Sequence, residues 1–256
     1  MKRLKARHKA RPSGHAAAVG RSLDIYYRDT ARNKRMDRLN AHFLPKGGLA
    51  FDLGAHVGDR TASFLRLGAR VVALEPQPHV FRALRLIHGR NSRAILKCQA
   101  VGAHSEHLEM RINSSNPTVS TLSPNLVEAA HNAPGWDDQV WDTSTTVEVT
   151  TLDRLIQEYG LPDFIKIDIE GYELEALKGL SQTVSALSFE FTTLQRTVAN
   201  NGLSRLMDLG DYEFNFSLGE EHRFDCPNWL SEKGMKDYLK KLPDTANSGD
   251  VYARLK

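Results

Sequence analysis

Two stretches of this sequence set chemistry-bearing residues beside glycine. The first is Phe51-Asp52-Leu53-Gly54-Ala55-His56-Val57-Gly58-Asp59-Arg60-Thr61, an apolar run with one acid that passes through two glycines into a polar segment. Glycine lets a backbone approach a bound molecule closely, and a helix start offers unsatisfied N–H groups. Spacing separates the ligands that use such turns. A dinucleotide fingerprint needs G-x-G-x-x-G and a P-loop needs G-x-x-x-x-G-K-[ST], whereas Gly54 and Gly58 stand as G-x-x-x-G with no lysine following. Asp52 would repel a polyphosphate, yet could pair with the ammonium of a methionine moiety. Glu75 comes 23 residues later (75 − 52) at the end of the run Arg70-Val71-Val72-Ala73-Leu74, where an acid can accept hydrogen bonds from both ribose hydroxyls. Acid, turn and strand-end glutamate together point to S-adenosylmethionine; the alternative is a purely structural glycine turn. Candidate cofactor contacts are Asp52, Gly54, Ala55, His56, Gly58, Glu75 and Pro76. Gln99, Ala100 and Val101 join them at the height of the adenine.

The second stretch, Ile165-Lys166-Ile167-Asp168-Ile169-Glu170-Gly171-Tyr172-Glu173, puts two carboxylates where an apolar run meets a helix. Open α/β sheets bind ligands outside the carboxyl ends of their strands, so Asp168 and Glu170 should face the cleft, with Glu173 in the first helical turn. Methyl transfer to a hydroxyl asks mainly for alignment and a place for the proton. Asp168 is the first candidate for that base and Glu170 the second; equally, Asp168 could only orient cofactor or acceptor. A metal-assisted mechanism would need more convergent ligands. Glu190 could join Asp168, but the sequence is read without a metal site.

These residues need a scaffold. Short apolar runs at 49–53, 70–74, about 94–101, 107–113, 147–149, 164–168, 186–191, 212–218 and 250–255 are strand candidates. Helix patterns at 59–67, 78–88, 152–159, 172–178 and about 194–209 lie between them. The alternation predicts a doubly wound α/β domain over 49–256 built on a mostly parallel sheet. Residues 23–48 read as a helical segment lying on it. Residues 114–145, with little periodicity and with Trp136 and Trp141, read as a substrate lid. Those tryptophans either offer faces to a sugar or cap the core.

At 256 residues with 41% hydrophobic and 25% charged residues, one main domain is expected. No apolar run is long enough to cross a membrane, and the start lacks a secretory pattern. Two cysteines form no framework or zinc site, which fits a reducing cytoplasm. Residues 1–22 carry seven of the basic residues and no acid, so the rest of the chain stands at −4 (+3 less 7). Such an arm reads as a disordered tail, with an organelle transit peptide as another source of the same composition. The acidic balance of the body argues against nucleic acid as a partner.

In order along the chain, Phe51-Asp52-Leu53-Gly54-Ala55 with Gly58, Ala73-Leu74-Glu75-Pro76-Gln77-Pro78, Thr151-Leu152-Asp153, Ile165-Lys166-Ile167-Asp168-Ile169-Glu170-Gly171 and Phe189-Glu190-Phe191 resemble the FkbM-type methyltransferases. The resemblance covers about 49–218 and the final strand. It implies a seven-stranded, Rossmann-like class I methyltransferase sheet with an antiparallel last strand and S-adenosylmethionine along Asp52, Gly54, Glu75 and Gln99–Val101. It also implies O-methylation of a small molecule or glycan. His56 departs from the pattern, which commonly has Asn there; it either contacts cofactor or acceptor, or replaces an amide that stabilises the turn. Two other readings stay open. One is a non-catalytic Rossmann-like binding module with a basic tail; the other is an RNA methyltransferase.

Overall fold

The structure, a computed structural model, describes residues 14–256 apart from Asn132. Of the expected basic tail, residues 1–13 lie outside the described residues. From His15 the chain is already helical, so the expected boundary at residue 22 moves. The run Ala16-Ala17-Ala18 favours helix, Ala18 is buried, and Tyr27 anchors the far end through its hydroxyl to the Val57 carbonyl at 2.9 Å. This helix, α1 (His15–Arg28), leads into α2 (Thr30–Asn40), whose start is capped by Asp29 accepting from the Arg32 N–H.

The strands are β1 (Leu49–Leu53), β2 (Arg70–Leu74), β3 (Ala94–Lys97), β4 (Ala100–Val101), β5 (Glu106–Ile112), β6 (Thr143–Thr150), β7 (Phe164–Ile167), β8 (Ala186–Thr192), β9 (Tyr212–Leu218) and β10 (Ser248–Leu255). Seven form one sheet in the order β3-β2-β1-β7-β8-β10-β9, with β10 antiparallel to both neighbours. That is the expected mostly parallel sheet with an antiparallel last strand. The helices that follow are α3 (Asp59–Arg66), α4 (Pro78–His88), α5 (Pro124–Ala130), α6 (Leu152–Tyr159), α7 (Glu173–Lys178), α8 (Arg196–Leu209) and α9 (Glu232–Lys241).

Three expectations need correction. The strand read over 94–101 breaks at Cys98-Gln99. Its first half stays in the main sheet and its second half becomes β4 of a separate sheet, ordered β4-β6-β5. The runs at 107–113 and 147–149 belong to that small sheet rather than to the doubly wound one, because β5 and β6 pair with each other along their full lengths and bury their own cluster of Met110, Ile112, Val147 and Val149. Residues 114–145 are not structureless: they contain α5, whose Ser123 Oγ accepts from the Leu126 N–H.

Central strands β1 and β7 are buried on both sides, the condition of a parallel sheet covered by helices. One face carries Phe51, Leu53, Ile165, Ile167, Leu187 and Phe189 against Leu177 and Leu203 of α7 and α8. The opposite face carries Ala50, Val71, Ala73 and Phe164 under α2 and α3. There Phe43 stacks on Phe164 with centroids 5.0 Å apart, and Phe64 meets Phe164 edge-on at 5.9 Å. Beyond these rings the same face turns polar, through the in-register row Asp52, Lys166, Ser188, Tyr252 and Asn215. Phe64 is fully buried. Phe64→Ala should lower stability by about 3–5 kcal/mol, seen as a lower urea midpoint at unchanged slope.

Candidate functional site

Strands β1 and β7 are neighbours, and the ladder between them runs to the Asp168 N–H, which donates to the Leu53 carbonyl at 2.9 Å. There the chains part. The Gly54 and Ala55 N–H groups swing over to the Leu74 carbonyl of β2, at 3.0 and 2.8 Å. Gly54 has φ +81°, and a Cβ on it would lie 1.7 Å from the Asp168 carbonyl oxygen. Both conformation and contact therefore require glycine. His56 also has positive φ, at 48°. That left-handed region suits Asn best and accepts His more readily than most side chains, which explains why an amide and an imidazole can exchange at this position.

A cleft opens at this parting of the strands. It is lined by Asp52, Gly54, Ala55, His56, Glu75, Pro76, Gln99, Ala100 and Val101, with Asp168 and Glu170 on the other side. Eleven of the twelve residues singled out in the sequence thus share one cavity. Gly58 does not line it. It precedes α3 at φ +88°, a Cβ there would run into His88 and Leu84, and its carbonyl meets His88 Nε2 at 2.9 Å, so it shapes the turn from behind.

Buried Asp52 accepts from the Thr61 hydroxyl at 2.5 Å, and burial pushes its carboxyl up to about 6 against that hydrogen bond. Glu75 takes one N–H on each oxygen, from His56 at 3.0 Å and from Gln77 at 2.9 Å. Burial nevertheless pushes it up to about 7. His56 is driven down to about 4 by burial, so it is a neutral ring at physiological pH. Its Nε2 has no hydrogen-bond partner among the described residues, and the ring lies edge-on to Tyr26 of α1 with centroids 5.9 Å apart.

The second loop is clamped from three directions. Buried Glu173 opens α7 as expected, but its carboxylate turns back to accept from the Ile169 and Gly171 N–H groups at 3.1 and 3.2 Å. Thr121 donates to the Glu170 carbonyl at 2.6 Å. Gly171, at φ +84°, leaves no room for a Cβ beside Gln195 Oε1, and Glu170 itself is held at φ 55°. A strained non-glycine residue fixed by its surroundings is a frequent feature of functional sites. The Lys166 ammonium, buried between the sheets of side chains, reaches Asp168 at 3.1 Å and Asp250 at 2.8 Å. Glu190 of β8 completes a group of three, with carboxylate oxygens of Asp168, Glu170 and Glu190 all within 4.8 Å of one another. Glu170 and Glu190 are both held well above the ordinary carboxylate range, first by burial and then by the neighbouring acids.

Several lining residues were missed in the sequence. Tyr26 arrives from α1 and Glu220 from the loop after β9, whereas Thr118 and Ser120 belong to the segment 114–145 already expected near the acceptor. Arg60, next to the glycine turn, had the adjacency that could have found it. Arg32 of α2 bridges Asp59 at 2.8 Å and Glu220, which Arg60 and His222 also contact. Burial alone would raise Glu220, but Arg60, His222 and Arg32 together hold it far below its usual range. Across the cleft six carboxylates face one guanidinium, Arg60. The arrangement therefore favours a ligand carrying positive charge.

Part of the segment 114–145 lines this cleft. Pro117, Thr118, Ser120 and Leu122 line it, and Gln77 Nε2 reaches across to the Pro117 carbonyl at 3.0 Å. Trp141 is spent on structure, donating to the Val119 carbonyl at 2.9 Å, while Trp136 lines a second cavity with Glu170 and Glu190.

Solved structures that resemble the chain include a TehB-like SAM-dependent methyltransferase from Corynebacterium glutamicum, 11% identical with a TM-score of 0.47 over 94% of this chain and 96% of that one. Another is the precorrin-6y C5,15-methyltransferase from Geobacter metallireducens, 12% identical with a TM-score of 0.45 over 90% of each chain. The hexuronic acid methyltransferase AglP of Haloferax volcanii is 24% identical over 204 residues, 77% of this chain and 78% of that protein. Residues 52–218 match the methyltransferase FkbM domain, a span that starts at Asp52 and takes in both glycine-flanked motifs, and the chain belongs to that family of methyltransferases.

Proposed function

We propose that the chain binds S-adenosylmethionine in the cleft and moves its methyl group to an oxygen of a sugar or sugar-acid acceptor. The observation that carries this reading is the single cleft in which the Gly54 turn, Glu75 and Gln99–Val101 face Asp168 and Glu170. Asp52 sits beneath the turn for the ammonium. Glu75, with each oxygen holding one N–H and keeping a free lone pair, is suited to the ribose hydroxyls. In the reaction the acceptor oxygen forms a bond to the methyl carbon as the carbon–sulfur bond breaks and its electron pair stays on sulfur. The protein's part is alignment in a preformed, acid-lined cleft. If the acceptor is a hydroxyl, its proton passes to Asp168, with Glu170 as the second candidate. If it is a carboxylate, no proton is released and Asp168 orients. The likeness to a hexuronic acid methyltransferase supports the sugar-acid class, and segment 114–145 is its lid.

No described helix is long and apolar enough to cross a membrane. We place the enzyme in the cytoplasm, where Cys98, exposed, and Cys226, buried, would stay as the free thiols they are here.

Calorimetric titration with S-adenosylhomocysteine should show micromolar binding to the wild type. Asp52→Asn and Glu75→Gln should each weaken it by about tenfold or more, since each removes a charged hydrogen-bond acceptor. No binding by correctly folded wild type would sink the reading. The bond formed can be typed by incubating labelled methyl donor with glucuronate and treating the product with mild base, which releases methanol from an ester and leaves an ether intact.

The raised carboxyls give the binding a pH dependence of known sign. Glu75 and Asp52 must be ionised to accept from the ribose and the ammonium, and their positions near 7 and 6 leave them partly protonated in mild acid. Affinity for S-adenosylhomocysteine should therefore fall as pH falls through 7, by about tenfold or more between pH 8 and pH 5.5. Glu75→Gln should flatten the part of that fall centred near 7, which a titration series in one buffer system would show.

A further inference from the structure

We propose that Asp168, Glu170 and Glu190 hold a divalent, oxygen-preferring cation such as Mg²⁺ or Mn²⁺ at the boundary between the cofactor cleft and the second cavity. The inference rests on the functional reading above only for the cation's use; the site itself stands on geometry. Points no more than 4.8 Å apart lie within about 2.8 Å (4.8 Å over √3) of a common centre. Oxygen ligands sit about 2.0–2.1 Å from Mg²⁺ and about 2.3–2.6 Å from Ca²⁺. An inward movement of about 0.7 Å per oxygen would therefore close the three on Mg²⁺. Asp168 and Glu170 come from the loop after β7, and Glu190 from the adjacent strand β8, so the loop alone does not account for the convergence.

Buried side chains beside the cluster point the same way. Glu190 Oε2 is shut off from solvent and has no hydrogen-bond partner among the described residues. Thr192, on the same face of β8 two residues on, is only 7% exposed, lines the second cavity with Glu170 and Glu190, and its Oγ1 likewise has no partner among the described residues. Buried polar atoms in native proteins are nearly always satisfied, so orphaned oxygens beside three carboxylates call for a positive ligand. Lys166 does not supply it. Its ammonium is committed to Asp168 and Asp250, and no ion pair to Glu170 or Glu190 exists within 4.0 Å among the described residues.

The location gives the ion a use. Glu170 lines both cavities, and the second one adds Trp136, Asn116 and Gln139, an aromatic ring and amides of the kind that hold a sugar. A cation between them would take two oxygens of the acceptor as ligands and turn one toward the methyl group. It would also relieve the conflict between an anionic sugar acid and an acidic cleft.

The test is Mn²⁺ titration of the full chain followed by electron paramagnetic resonance, with and without S-adenosylhomocysteine, on the wild type and on Glu190→Gln. One Mn²⁺ per chain is expected for the wild type, displaced by Mg²⁺, with affinity at least about tenfold lower in Glu190→Gln. Mg²⁺ should raise the wild-type Tm and leave that of Glu190→Gln unmoved. Calorimetric binding of S-adenosylhomocysteine by Glu190→Gln shows that the variant is folded, since Glu190 does not line the cofactor cleft. Absence of stoichiometric binding at about 1 mM Mn²⁺, or equal binding by the variant, overturns the cation site and leaves carboxylates that share a proton. Nucleoside binding without Mn²⁺ binding defeats the cation alone; Mn²⁺ binding without nucleoside binding defeats the cofactor assignment and keeps the ion.

Discussion

The architecture of the site depends on one contact that has no room for a methyl group. Gly54 lies so close to the Asp168 carbonyl that any Cβ would overlap it. This is where the ladder between β1 and β7 ends, and from there β1 turns to the β2 side while the chain after β7 turns toward β8. In a sheet ordered β3-β2-β1-β7-β8-β10-β9, the chain reverses its direction of growth between β1 and β7. A crevice forms at such a switch point because the two loops must diverge. Glycine lets the strands stay paired up to that point and still part abruptly, so the two motifs, more than a hundred residues apart in sequence, face each other across one cleft. Thr121 and Glu173 then fix the Asp168–Tyr172 loop, and Leu74 fixes the Gly54 turn.

The charges divide into those the protein satisfies itself and those it leaves for something else. Arg32 and Arg60 neutralise Asp59 and Glu220 at the rim, and Lys166 is shared by Asp168 and Asp250 within the sheet face. Asp52, Glu75, Glu170 and Glu190 have no such partner, and all four are held above their ordinary range, with burial the largest cause in each. Burying unpaired carboxyls is costly unless something repays it. Strongly raised groups gathered at one cleft are the pattern of a site built for a ligand. Asp52, Glu75, Glu170 and Glu190 line the two cavities; Glu173, raised as well, is taken up by the Ile169 and Gly171 N–H groups, and the strongly lowered Glu220 is held in the arginine network at the rim.

Legibility in the sequence followed the range of the interactions involved. The glycine turn, the strand-end Glu75 and the Asp168–Gly171 loop are local, and their residue types carry the constraint, so eleven of twelve named positions share the cleft. Gly58 stands behind the cleft, because positive φ is needed both at a ligand and at a helix start, and spacing does not distinguish them. The small sheet was invisible because the runs of β5 and β6 are ordinary strand runs, and only pairing decides which sheet they join. Helix α9 was overlooked because Glu232–Lys241 is rich in lysine and buries chiefly Met235 and Leu239, too narrow a stripe to stand out. Tyr26, Thr118 and Glu220 come from segments that meet the cleft only after folding. Glu190 was noticed, but its approach to Glu170 depends on the φ of 55° at that residue, which no local pattern reveals.

That dependence on long-range contact is strongest for the cover of the cleft. Segment 114–123 is tied to the cofactor side by Gln77 on the Pro117 carbonyl, to the Asp168 side by Thr121 on the Glu170 carbonyl, and to α1 by Arg21 on the Ser115 carbonyl. The last of these uses an exposed arginine. A side-chain hydrogen bond is worth about 0.5–1.5 kcal/mol net, so the three ties together amount to only a few kcal/mol. Two of the ties end on backbone carbonyls of the segment, and the third runs from its own Thr121 side chain to the loop beneath it. Tyr26, carried by α1 and packed on the strained His56, extends the same dependence to the N-terminal helix.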